Sequence, residues 1–239
     1  MGCGLSWASF YFLTFAYGQF IPESWLELPK IAALNVHPSL LPKYRGPSPI
    51  QAAILNGDPE TGITLMKMLK EMDSGPIAGQ ARLTIAPHST SNTLFDELGT
   101  LAAQLVPDWM IELTQKNPKE IFKEQDHGKA TFVKKIEKED GRIDFKKPAG
   151  EIFRQFRAYL SWPGIFTTYQ GKRLKLLELE PVSDVLEPGK VHCDKHSITI
   201  GTSDGSLRVK RLQLEGKNPL YAEQFILGQS QFCEAQLPS

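Results

Sequence analysis

The chain has 239 residues, with 27 Lys or Arg against 27 Asp or Glu and a formal net charge of zero. That length holds one large domain or two ordinary ones, each with a real core. The balanced charge excludes a polycation that binds nucleic acid by global attraction and leaves only local patches for such contact. Three scattered cysteines, Cys3, Cys193 and Cys233, predict no disulfide framework and fit a reducing compartment.

Residues 5–20 are apolar and aromatic. No basic stretch precedes them, and the uninterrupted run is shorter than the ~20 residues that cross a bilayer, so no membrane contact is expected. Met1-Gly2-Cys3-Gly4-Leu5-Ser6 fits the loose myristoylation pattern, with Cys3 as a second acylation point, but a chance match reads more simply. Residues 10–17 predict a buried parallel strand ending at Gly18, and a short helix starts at Ile21-Pro22-Glu23-Ser24 and closes at Pro29. A second strand covers 31–36, a helix 49–55 stops at Asn56-Gly57-Asp58-Pro59, and strands follow at 61–66 and 77–85. Ser91 then caps a long helix whose Leu94, Leu98, Leu101, Leu105, Trp109 and Leu113 recur at helical spacing. The βαβ rhythm predicts an α/β sheet covered by helices.

From there the pattern changes. Residues 116–128 are polar and broken by Asn117-Pro118 and His127-Gly128, which predicts a linker between a domain at 1–115 and another at 129–239. The second has a helix from Pro148 through Tyr159, then short strands at 164–169, 174–179, 189–192, 197–201 and 207–214. Turns at Gly171-Lys172 and Asp204-Gly205 join hairpins, and five short strands predict a small barrel of the OB type.

One segment carries chemistry. Asn35 and His37 stand two apart at the carboxyl end of a predicted strand, so both side chains share one face. That end of an open α/β sheet is where ligands bind. Asp73 follows the next strand in a loop within reach. An acyl carbon attacked by an amine needs a donor for the developing oxyanion and a base for the proton, and the three residues supply both. Taken alone, a histidine beside proline reads more readily as structural. Residues 39–46 read as an irregular, backbone-exposing loop beside the cluster that positions substrate, with Lys43 and Arg45 near phosphates or an acceptor end; a solvated loop shaped by its prolines is the alternative. His192-Cys193-Asp194-Lys195-His196 lies in a predicted hairpin turn and reads as solvated residues, so no metal is expected.

Asn35-Val36-His37-Pro38-Ser39-Leu40-Leu41-Pro42, Arg45-Gly46, Pro49-Ile50, Gly57-Asp58, Thr61-Gly62-Ile63-Thr64 and Asp73-Ser74-Gly75 together resemble the core of the folate-dependent formyltransferases. Lys129-Ala130-Thr131-Phe132-Val133-Lys134-Lys135-Ile136, Arg154-Gln155-Phe156-Arg157-Ala158, Trp162-Pro163-Gly164 and Gly171-Lys172-Arg173-Leu174-Lys175 are similar to the C-terminal domain of the methionyl-tRNA formyltransferases. The resemblance implies formyl transfer from 10-formyltetrahydrofolate, a small-molecule folate, to the amino group of methionyl-initiator tRNA for translation initiation. It implies Asn35, His37 and Asp73 as catalytic residues, and Ser39, Leu40, Leu41, Pro42, Arg45, Gly46 and Gly75 as folate- or substrate-binding ones. It offers Lys43, Lys134, Lys135, Arg154, Arg157, Lys172 and Arg173 as tRNA contacts. A monomer in the bacterial cytoplasm, or in the mitochondrial matrix of a eukaryote, fits this reading. In the second half, Lys129, Lys138, Arg142, Lys146, Lys147, Lys175, Arg208, Lys210 and Arg211 add a local basic face, although an ordinary mixed-charge surface explains them as well.

Only thirty-four residues precede Asn35, where the resembled family has several βα units. The expected fold is therefore an incomplete Rossmann-like formyltransferase domain followed by the small barrel, matching from about Ala16. Its sheet should expose an apolar edge and face. A truncated start and a genuine short form both fit. The alternatives to an active enzyme are an inactive remnant that binds RNA or a partner through its C-terminal domain, and an unstable fragment.

Overall fold

The computed structural model describes residues 10–15 and 21–238. The readings that fall on Gly2, Cys3, Ala16, Gly18 and the end of the first strand lie outside them. The chain forms two compact units. The first draws on residues up to 53, 58–87 and 93–135, and the second on 54–57, 88–92 and 136 onward.

The first unit is built on a four-stranded sheet in the order β1-β2-β3-β4, from β1 (Tyr11–Phe15), β2 (Ala32–His37), β3 (Glu60–Lys67) and β4 (Ile77–Thr84). β1 and β2 run parallel, while β3 is antiparallel to both β2 and β4. Its helices are the single turn α1 (Glu23–Leu26), α2 (Pro49–Leu55) and α3 (Ser91–Gln115). β2 is central, so its run of Ala32, Ala33, Leu34 and Val36 is buried without alternation. β1 departs from the expected buried strand: Leu13 is 42% exposed and Phe15 44%, and only Thr14 is buried. It pairs β2 at the end of the strand order, so its side chains alternate between the cavity side and solvent. Phe10, Trp25 and Leu28 are exposed as well.

Helix α3 buries Leu94, Leu98 and Leu113 of the expected repeat, while Leu101, Leu105 and Trp109 are half-buried and Ala102 and Val106 turn fully inward beside them. Trp109 of α3 lies on β4 at Gly79, where an added Cβ would come within 2.5 Å of the indole. The stretch 116–128 contains a further helical turn, α4 (Pro118–Ile121), which Asn117 caps by accepting from the Lys119 amide.

The second unit places α5 (Ala149–Tyr159) beside a six-stranded antiparallel sheet. Strands β5 (Ile165–Tyr169), β6 (Lys172–Val182), β7 (Val191–Cys193), β8 (Ile198–Gly201) and β9 (Ser206–Leu214) pair in the order β5-β6-β9-β8-β7, and β10 (Leu220–Tyr221) pairs β9. The pairing is an open path and gives a sheet in place of the expected closed barrel. The sequence reading also passes over α6 (Ala222–Gly228) and a 3-10 turn at Ser230–Glu234. There Phe232 stacks edge-on against Tyr169 and Phe225, with ring centroids 4.8 and 5.2 Å apart. The cysteine expectation needs correction too. Cys193 on β7 is joined to Cys233 of the 3-10 turn by a disulfide, with Cα atoms 5.1 Å apart. Forty residues separate them, and the return of the chain to the sheet edge closes that gap.

Gly79→Val should lower stability to urea by roughly 1–3 kcal/mol, because the new side chain meets the Trp109 ring. Unchanged stability would show that the indole does not pack against β4.

Candidate active site

Asn35 and His37 leave β2 on one face, and the chain then folds back on itself. The His37 imidazole is buried, and its Nε2 lies 3.0 Å from the Tyr44 carbonyl, seven residues on. A carbonyl only accepts, so Nε2 carries the proton in this contact and Nδ1 is the nitrogen left bare in the neutral ring. Nδ1 faces Asp73 Oδ2 at 3.5 Å. That oxygen also accepts from the Gly46 amide at 2.8 Å. Burial lowers the His37 pKa from its ordinary 6.5, and Asp73 and the Tyr44 carbonyl offset part of that effect. The neutral ring therefore dominates at neutral pH, with a bare nitrogen beside a carboxylate.

Asn35 stands directly opposite Thr14 in the β1–β2 register. The Thr14 hydroxyl lies 3.1 Å from the Leu34 carbonyl and 2.9 Å from Asn35 Oδ1, and its single proton, given to the nearer oxygen, engages the amide. With its oxygen engaged, the amide offers its NH2 group as a donor. Thr14, Asn35, His37 and Asp73 all line one cavity of about 840 Å3, within the usual size of small-molecule sites. Met66, Met68, Met72, Ile50 and Phe95 give it an apolar wall. The cavity thus combines an apolar body with convergent polar groups: an amide donor, a bare imidazole nitrogen and a carboxylate.

Residues 38–46 shape the rim, and much of the segment is drawn inside instead of being solvated. Thr64 sits opposite His37 on β3, its hydroxyl donates to the Ser39 carbonyl at 2.6 Å, and it accepts from the Leu41 amide at 3.2 Å. Ser39, Leu41, Tyr44 and Arg45 are buried in consequence. Of the predicted folate-binding residues, Gly46 lines the cavity, while Ser39, Leu40, Leu41, Pro42, Arg45 and Gly75 lie off it and build the surrounding backbone. Gly46 has φ +120, and an added Cβ would sit 2.2 Å from the Val133 carbonyl oxygen, so only glycine fits. The Arg45 guanidinium, expected near phosphates, is turned inward onto Gln125 and His127. Since a guanidinium only donates, His127 Nδ1 accepts there at 3.1 Å.

The predicted tRNA contacts divide in the same way. Lys134, Lys135 and Lys172 are exposed. Lys43 is half-exposed and bonds Asp58 at 2.7 Å; burial opposes its charge, but the bonds to Asp58 and Tyr44 prevail and raise its pKa. Arg173 lies over the Phe166 ring at 3.8 Å and pairs with Glu139. Arg154 donates to the Leu55 carbonyl. Arg157 is buried, donates to the Ser89 carbonyl at 2.7 Å, and has its pKa lowered by burial and by Arg154, so its charge is turned inward. Several cations of the expected basic face are paired: Arg208 and Lys210 with Glu180, Arg142 with Glu139, and Lys147 with Glu151. Among the described residues no group of three His, Cys, Asp or Glu is placed to hold a metal.

Thr14, Tyr44 and Gln125 are the site residues that sequence reasoning missed. Thr14 left a trace as the lone aliphatic hydroxyl in Tyr11-Phe12-Leu13-Thr14-Phe15. Tyr44 contributes its carbonyl, which no side-chain pattern can reveal.

This arrangement has known counterparts. Residues 10–110 match the formyl transferase family and residues 135–230 the formyl transferase C-terminal domain. The chain is 37% identical over 220 residues to the methionyl-tRNA formyltransferase of Dehalococcoides mccartyi, covering 91% of this chain and 70% of that one. It is 38% identical to the methionyl-tRNA formyltransferase of Staphylococcus aureus strain MW2, covering 90% and 70%. The chain therefore belongs to the formyl transferase family, and within it to the methionyl-tRNA formyltransferases. Its fold also superposes on HypX from Aquifex aeolicus, solved in complex with tetrahydrofolic acid, with a TM-score of 0.69 at 21% identity. That match covers 92% of this chain and 38% of HypX.

The His37 NMR titration should have its midpoint below 6.5, and Asp73→Asn should lower it further by removing the charge that favours the imidazolium. A midpoint at or above 6.5 in the parent would contradict the buried, neutral ring.

Proposed function

We propose that this chain transfers a formyl group from 10-formyltetrahydrofolate to the amino group of methionyl-initiator tRNA. The observation that carries the reading is the convergence of Asn35, His37 and Asp73 on one large, partly apolar cavity. Relatives of the same name and a folate-bound structural neighbour support it.

The donor supplies an electrophilic formyl carbon on a nitrogen that can leave. The chain's own groups do the rest. The Asn35 NH2 group donates to the oxyanion that forms when the amine attacks. The bare Nδ1 of His37 takes the proton the amine loses, and Asp73 stabilises the resulting imidazolium. The same proton then passes to the departing folate nitrogen as the old C–N bond breaks. The new amide and neutral tetrahydrofolate result, and His37 returns to its neutral form. Met66, Met68 and Phe95 offer an apolar surface for the flat ring of the donor.

In this reading residues 1–115 carry the catalytic cluster, 116–128 lead from it while still packing on the site through Gln125, and the open-sheet unit within 129–239 is the module for tRNA. Lys43, Lys134, Lys135, Lys172, Arg154 and Arg173 are the cations assigned to the RNA backbone. Arg45 and Arg157 are left out because they are buried, with their guanidinium groups turned onto partners inside the protein.

With labelled formyl donor and charged initiator tRNA, the parent chain should transfer label. Asn35→Ala should slow the reaction by roughly 10²–10³, as for loss of an oxyanion donor, and His37→Ala by at least about 10². No transfer by a soluble, folded parent chain would contradict the proposal.

A further inference from the structure

Gln125 falls in the stretch that the sequence reads as a linker, yet it is only 5% exposed. Its side-chain amide makes four hydrogen bonds to two segments of the site. Oε1 accepts from Arg45 Nε at 3.1 Å and Nη2 at 2.7 Å. Nε2 donates to the Asp73 carbonyl at 2.8 Å and the Gly75 carbonyl at 2.7 Å. A guanidinium can only donate and a carbonyl can only accept, so the amide has a single workable orientation. Both of its donors and both of its acceptor positions are used.

The backbone on either side fixes where this amide sits. Two residues earlier, Lys123 exchanges backbone hydrogen bonds with Ile77 at 2.8 and 2.9 Å. Six residues later, the Thr131 hydroxyl accepts from the Tyr44 amide at 2.8 Å, and the Thr131 carbonyl accepts from the Arg45 amide at 2.8 Å. Val133 returns a bond to the Arg45 carbonyl. The run 123–133, with a 3-10 turn at His127–Lys129 and a β-bridge near each end, thus joins the 44–46 segment to the 73–77 segment. These segments carry the groups that face His37: the Tyr44 carbonyl and the Asp73 carboxylate.

Asp73 needs such support. Its φ is +53, a left-handed conformation that costs a non-glycine residue of order 1 kcal/mol and persists where surroundings over-determine it. Its carboxylate is tied to Gly46, directly after Arg45. Gln125 holds the same two partners from behind, through Arg45 and through the Asp73 carbonyl.

We propose that Gln125 is a positioning residue, whose side-chain amide clamps the backbone on both sides of Ser74 to the Arg45 guanidinium and so sets the Asp73 carboxylate against His37. Its effect on catalysis rests on the role given to Asp73 above. A merely structural amide, present to satisfy the buried Arg45 charge, would leave the Asp73–His37 relation untouched when replaced by another acceptor for Arg45.

Q125E makes that separation. It keeps the size and the acceptor facing Arg45, and it loses both donors to the Asp73 and Gly75 carbonyls. The full chain carrying Q125E should fold, with kcat for formyl transfer down by about 10–100-fold, the scale of a displaced catalytic group. KM should stay within about threefold, since the apolar wall is intact. The His37 NMR titration midpoint should fall below that of the parent as Asp73 moves away, and this reading is independent of turnover. Q125A removes the clamp without adding a charge and provides the same readouts if Q125E fails to fold. A folded variant with the parent's His37 titration and kcat overturns the clamp. Should Asp73→Asn retain full transfer, the catalytic role of Asp73 fails instead. The clamp is then judged on the titration alone: a lowered midpoint in Q125E sustains it and an unchanged one overturns it.

Discussion

The hydrogen bond from His37 Nε2 to the Tyr44 carbonyl is the interaction on which the site depends. It requires the chain to reverse within seven residues of leaving β2. Everything peculiar about residues 38–46 serves that reversal: the bonds to the Thr64 hydroxyl, Tyr44 at φ +64, and Gly46 where any side chain would strike Val133. The bond also fixes the chemistry. A carbonyl on one ring nitrogen makes that nitrogen the donor and leaves the other as the base. Asp73 approaches that other nitrogen at 3.5 Å, too far for a strong hydrogen bond but near enough to favour a positive ring once a proton arrives.

Burial and charge act against each other at this centre, and the balance suits proton transfer. Desolvation keeps the imidazole neutral at rest. The carboxylate lowers the cost of the imidazolium when it forms. A ring fully exposed to water would lose the first effect, and a ring without Asp73 would lose the second. Across the sheet, Thr14 does for Asn35 what Tyr44 does for His37, taking one end of the amide so that the other is offered to the cavity. Polar residues around the site are thus spent on orientation, and the apolar methionines and Phe95 define the space.

Much of this was legible in the sequence, for reasons of period and punctuation. Asn35 and His37 share a face because they stand two apart on a strand. The apolar repeat from Leu94 to Leu113 gives α3, and Asn56-Gly57 ends α2. Asp73 joined the site through its motif. Three features were hidden. The burial of the 39–46 loop could not be read from its prolines and glycine, since it is Thr64, twenty-five residues from Ser39, that draws it inside. Gln125 was invisible because its partners lie 50 to 80 residues away and the local sequence around it is polar. Cys193 and Cys233 carry no spacing signature, and only the sheet edge brings them together. In each case the missing information is a long-range contact that no local pattern encodes.

The most direct test of the central claim is the tautomer of His37. With 15N-histidine in the parent chain near pH 7.5, the nitrogen shifts should show Nε2 protonated and Nδ1 bare. A ring protonated at Nδ1, or at both nitrogens, would contradict the account, since neither form leaves a base beside Asp73.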